Sequence, residues 1–99
     1  MGLDFHVVFV DDEKNHFIMS ELLHSSIFNS STRWSSCKQL KKINDYYKSD
    51  VLLKNKDAIL FVNDLVDISN RIDSNKDELK KILDILRSNE VRTIRVTGD

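Results

Sequence analysis

One cysteine, two glycines and no long apolar run set the first limits on this 99-residue chain. Cys37 stands alone, so no internal disulfide can form, which argues against a stapled secreted scaffold. Gly2 and Gly98 lie at the two ends of the sequence, leaving no glycine-rich loop to cradle a phosphate. Nothing approaches the roughly 20 consecutive apolar residues of a membrane span, and the opening Met-Gly-Leu-Asp-Phe-His has no basic leader region. The expectation is a soluble cytoplasmic protein without membrane contact. His6, His16 and His24 show no ligand spacing, so a zinc site is not expected. No set of side chains assembles into catalytic machinery, and the chain reads as a non-enzyme.

What is present is ordinary globular composition: 40% hydrophobic and 31% charged residues, enough for one small domain spanning residues 1–99. The net charge of −1 conceals a partition. Residues 1–23 carry net −4, residues 24–56 net +5 and residues 57–99 net −2. The basic middle, with Arg33, Lys38, Lys41, Lys42, Lys48, Lys54 and Lys56, suits phosphates or an acidic protein surface, or is simply a solvated helix and its flanks. Without net positive charge, nucleic acid is not an expected main partner.

Along the chain, His6-Val7-Val8-Phe9-Val10 reads as a strand buried on both faces that delivers Asp11 and Asp12 to its carboxyl end. Residues 14–28 follow as a helix, with Met19, Leu22, Leu23 and Ile27 on one face and Asp12 as its N-cap. Residues 32–35 read as a short edge strand. Ser36 with Gln39 then suggests a capping box for a second helix carrying Cys37, Leu40, Asn44 and Tyr47 to about Lys48. Residues 49–57 read as an extra helical turn or tucked loop. Ala58-Ile59-Leu60-Phe61-Val62 repeats the character of the first strand, and Asn63-Asp64 repeats its ending. A single helix over 58–72 is the alternative, because Leu65, Ile68 and Ile72 are helically spaced. Ser74 with Asp77 opens a further helix bearing Leu79, Ile82, Leu83 and Leu86, and Val91–Thr97 is a last strand. The alternation predicts a three-layer α/β protein with a parallel sheet.

The segment Val8-Phe9-Val10-Asp11-Asp12-Glu13 resembles the first strand and acidic pair of response-regulator receiver domains. Residues 57–64 look like their third strand, which ends in a phosphoacceptor aspartate, and residues 93–99 like their fourth strand with its terminal Thr97. The resemblance implies a flavodoxin-like fold with strand order 2-1-3-4, lacking the fifth strand, its lysine and the last two helices. It also implies departures. Asn63 stands directly after the apolar run where the family has its acceptor, Asp64 falls one place later, and no proline occurs anywhere in the chain.

Several functional expectations follow. Asp11, Asp12 and Asp64 at one rim would hold Mg²⁺, a hard cation that takes one or two carboxylates; otherwise Asp11 and Asp12 merely cap a helix. No cofactor is required. Asp64 is the candidate phosphoacceptor and Thr97 its hydrogen-bonding neighbour. The acidic rim of Asp11, Asp12, Asn63, Asp64 and Asp67 suits a basic protein partner. Val91–Thr97 reads as an open edge guarded by Arg92 and Arg95, or one that accepts a partner strand or a second copy. The leading expectation is therefore a pseudo-receiver acting by protein–protein contact. A stand-alone immunity or antitoxin protein that blocks a basic toxin, such as a nuclease, is the alternative.

Overall fold

The computed structural model describes residues 3–45 and 48–98, so Tyr47 and Asp99 lie outside the described residues. The first strand, β1 (Leu3–Phe9), alternates strictly once it is read from its true start. Leu3, Phe5, Val7 and Phe9 are buried, while Asp4, His6 and Val8 turn the other way. That period of two marks a strand with one covered face, not two.

The acids that follow β1 make a hairpin turn. Asp12 N donates to Phe9 O at 3.0 Å, Phe9 N to Glu13 O at 2.9 Å, and Glu13 N to Asp11 Oδ1 at 3.1 Å. Asp12 takes a left-handed conformation (φ 68°), which a short polar side chain tolerates. The chain therefore doubles back as β2 (Lys14–Met19), pairing Leu3 with Met19 and Phe5 with Phe17. The helix expected from residue 14 starts only at α1 (Glu21–Ile27). Its N-cap is Ser20, whose Oγ accepts from Leu23 N at 3.1 Å, and not Asp12.

Residues 30–43 hold three single 3₁₀ turns in place of the expected edge strand and second helix. The tucked segment at 49–57 contains a strand, β3 (Asp50–Lys54). Residues 58–62 are not a strand. They lie in α2 (Lys56–Ser69), where Ala58, Phe61, Val62, Leu65 and Ile68 are buried and Ile59 and Leu60 are each 38% exposed. Adjacent pairs facing the same way fit a helix and cannot fit a pleated strand. Next come α3 (Lys76–Leu86), which buries Leu79, Ile82, Leu83 and Leu86, and β4 (Val91–Thr97).

The sheet is antiparallel throughout, in the order β2-β1-β4-β3. This overturns the flavodoxin-like parallel sheet of order 2-1-3-4. The reason is local: the hairpin at residues 10–13 reverses the chain where a crossover helix was expected, and α2 removes one of the two strands meant to lie side by side. The helices pack one layer against one face of the sheet, and a single core joins Phe5, Val7, Leu53, Ile94 and Val96 to Phe61, Leu65 and Leu79. β4 lies between β1 and β3, so it has no open edge for a partner strand; the edges are β2 and β3. A bulge opposite Phe9 adds Arg92 as an extra residue in β4.

Candidate functional site

Since helices cover only one side of the sheet, the outward side chains of four strands form an open face. The registers arrange them in rows. Ile18, Asp4, Thr97 and Asp50 make the first, His16, His6, Arg95 and Leu52 the second, and Lys14, Val8, Thr93 and Lys54 the third. Neighbouring strands lie about 4.8 Å apart, so each row spans roughly 14 Å.

Chemistry is unevenly spread over this face. His6 and His16 stack across the β1–β2 pair with ring centroids 4.5 Å apart and planes 22° apart. His16 Nε2 lies 3.2 Å from Asp4 Oδ1, one step diagonally away. Arg95 Nη2 is 3.1 Å from Asp50 Oδ1, the diagonal carboxylate on β3. Both carboxylates thus sit in the first row with a cationic or protonatable partner. The second and third rows contain Lys14, Lys54, Arg95 and two imidazoles, and no acid. Ile18 (55% exposed) and Leu52 (47%) stand at opposite sides of the face as apolar contacts. The combination offers an open, basic-leaning surface with greasy margins and a shallow depression of about 230 Å³ bordered by His6, Val8, Lys14 and His16.

The side chains expected to share one acidic rim are dispersed. Asp11 and Asp12 occupy the β1–β2 hairpin, where Asp12 Oδ1 pairs with Arg92 Nη2 at 2.7 Å. Arg92 is the residue the bulge leaves without a partner on β1; its carbonyl still accepts from Asn55 N at 2.7 Å while its side chain reaches that turn. Asn63, Asp64 and Asp67 belong to α2, in the helical layer. Asn63 borders a shallow groove with Ile59, Leu86, Arg87 and Val91. Asp67 Oδ2 binds Arg71 Nη2 at 2.7 Å, one helical turn on. Thr97 pairs with Asp4 at the start of β1, whereas Asp11 and Asp12 follow its far end. Antiparallel pairing therefore sends Thr97 and the acidic pair to opposite ends of the sheet.

Asp64 has a structural task. Its Oδ2 accepts the backbone N–H groups of Gln39 and Leu40, each at 3.1 Å, and so caps the 3₁₀ turn Leu40–Ile43 from the side of α2. Among the described residues, no three His, Cys, Asp or Glu side chains are grouped so as to hold a metal ion. Asp11, Asp12 and Asp64 therefore do not come together as the Mg²⁺ cluster the sequence suggested.

Two other titratable groups are buried. His24 is 6% accessible; its Nε2–H donates to Ile43 O at 2.8 Å and its ring lies against Phe28. Burial lowers the pKa of the imidazole from its ordinary 6.5, against the opposing pull of the Ile43 carbonyl and the Asp45 and Glu21 carboxylates. Burial also pushes the Cys37 thiol up, helped by Asp64, so the cysteine is an inert core residue.

The His6–His16 pair was missed by a reading that took residues 6–10 as uniformly apolar. The usable signal was Asp4 and His6 at every second place between Leu3, Phe5 and Val7. No helix among the described residues is long and apolar enough to cross a membrane. No family model, curated protein or solved structure matches the chain.

Proposed function

We propose that this protein is a non-catalytic binding module that docks another protein on the open face of its sheet. The observation that carries the reading is the one-sided helical cover, which leaves Ile18 and Leu52 exposed among ordered strand positions. The partner surface is acidic with an apolar contact, because Asp4 and Asp50 already have partners while no ion pair among the described residues engages Lys14 or Lys54. Backbone hydrogen bonding holds the face rigid before the partner arrives, which limits the entropy lost on docking.

A second reading, neutralisation of a basic toxin such as a nuclease, is favoured by a different feature. The hairpin tip presents Asp11, Asp12 and Glu13 together in an exposed turn. One capture experiment on the intact chain separates the two. The expected result is a stoichiometric acidic protein held by the wild type and by the helix-side control Lys80→Glu, and lost by Lys14→Glu combined with Lys54→Glu. Retention of the partner by that face variant overturns the docking face. Loss of a basic partner only in Asp11→Asn with Glu13→Gln transfers the function to the hairpin tip.

A further inference from the structure

Away from the sheet face, the irregular segment between α1 and β3 meets the end of α2 at a depression of about 810 Å³ lined by Ser31, Arg33, Ser35, Ser36 and Arg71. Two guanidinium groups and three hydroxyl-bearing residues line it, and no carboxylate does. In a chain with more acids than bases, that local composition needs a reason.

Arg71 is fixed in place. Its Nη1 donates to Thr32 O at 2.9 Å and its Nη2 to Asp67 Oδ2 at 2.7 Å. Thr32 is itself 1% exposed and anchored through Oγ1 to Ile27 O at 2.6 Å. A guanidinium has five N–H donors, so three of Arg71 remain for a ligand. Arg33 sits at the junction of two 3₁₀ turns in the left-handed region (φ 55°, ψ 39°), a conformation that disfavours residues other than glycine. The strain is maintained by Ser36, whose N–H and hydroxyl both donate to Arg33 O, at 3.1 and 2.9 Å. Strained non-glycine backbone at an exposed arginine is a feature that recurs at ligand sites.

We infer that Arg33 and Arg71 form a binding site for a phosphate-type oxyanion, with the Ser35 hydroxyl as a further donor. The chemistry matches: planar guanidinium forks bind phosphate oxygens in pairs, and hydroxyls complete the tetrahedral set. Asp67 offsets part of the Arg71 charge, which makes Arg33 the deciding cation. The site is independent of the sheet-face reading, since it lies on the opposite layer and on different elements.

The test is a titration of the intact chain with inorganic phosphate, followed by amide and arginine side-chain NMR signals, against chloride at equal ionic strength. Saturable shifts at Ser31, Ser35, Ser36 and the Arg71 side chain in phosphate, and none that saturate in chloride, are the expected result. Arg33→Gly suits the left-handed backbone while removing the guanidinium, so it should fold normally and bind phosphate at least tenfold more weakly. Arg33→Lys should retain an intermediate affinity. A phosphoserine peptide that binds tighter than inorganic phosphate identifies a phosphorylated protein as the source, and equal affinity identifies free phosphate. Shifts that match those in chloride, or undiminished binding by Arg33→Gly, overturn the site.

Discussion

His24 shows how one buried side chain sets the response of the fold to pH. Its folded-state pKa is lowered below 6.5, so the unfolded chain binds more protons on acidification than the folded one. The stabilisation it contributes is complete above pH 6.5 and is lost as the pH falls through the folded value. Urea melts should therefore show lower stability at pH 5.5 than at pH 7.5, with a limiting slope for this single group of about 1.4 kcal/mol per pH unit. In His24→Gln, which keeps a donor for Ile43 O, that part of the slope should vanish. An unchanged slope would assign the pH response to other groups. Asp64 makes a second residue-scale case. Removing its carboxylate leaves the Gln39 and Leu40 N–H groups without their acceptor, so Asp64→Ala should cost about 1.5–3 kcal/mol in chemical denaturation. A loss below about 0.5 kcal/mol would show that water replaces the cap without penalty.

At the scale of elements, α2 decides between the two patterns residues 58–62 can support. Five apolar residues in a row satisfy a buried strand and a helix equally, and only the longer spacing of Ala58, Phe61, Val62, Leu65 and Ile68 separates them. Phe61→Ala should cost about 3–5 kcal/mol, because that ring is fully buried against Phe5. Leu60→Lys should cost under about 1 kcal/mol, its side chain being partly in water. Comparable losses at the two positions would contradict the helix. The helix α3 and the strand β4 were legible because a clean apolar stripe and a short run rich in β-branched residues, bounded by Asn89-Glu90 and Gly98, leave one interpretation each. The hairpin was not, since Asp-Asp-Glu after an apolar run signals a helix start as readily as a turn. Nothing in the sequence announces that Asp12 adopts φ 68° and closes the chain on Phe9. Residues 30–43 form local 3₁₀ turns in place of regular structure, and the Gln39 and Leu40 N–H groups bond to the Asp64 carboxylate, 24 residues beyond Leu40.

For the molecule as a whole, these local choices propagate into topology. Once the chain reverses after Phe9, β1 acquires an antiparallel neighbour, and the last strand enters between β1 and β3. One layer of helices then suffices to cover the apolar side of the sheet, and the polar side stays open. The acidic rim expected from the sequence required two parallel strands ending at the same place, so it disappears with them. Arg95 moves from a guarded edge to the centre of the open face, and Arg92 becomes the partner of the hairpin turn. Ile18→Asp with Leu52→Asp should leave the melting temperature within a few degrees of the wild type, because both side chains contact solvent and not the core. A large drop would mean that the face is covered within the protein itself.

Everything proposed for the open face depends on the antiparallel meeting of β1 and β4, and the most direct measurement is a set of cross-strand nuclear Overhauser contacts in the intact chain. The structure predicts contacts between Val7 and Ile94, between His6 and Arg95, and between Asp4 and Thr97. Contacts that instead join the start of β1 to the start of β4, placing Leu3 beside Val91, would contradict the sheet and every surface derived from it.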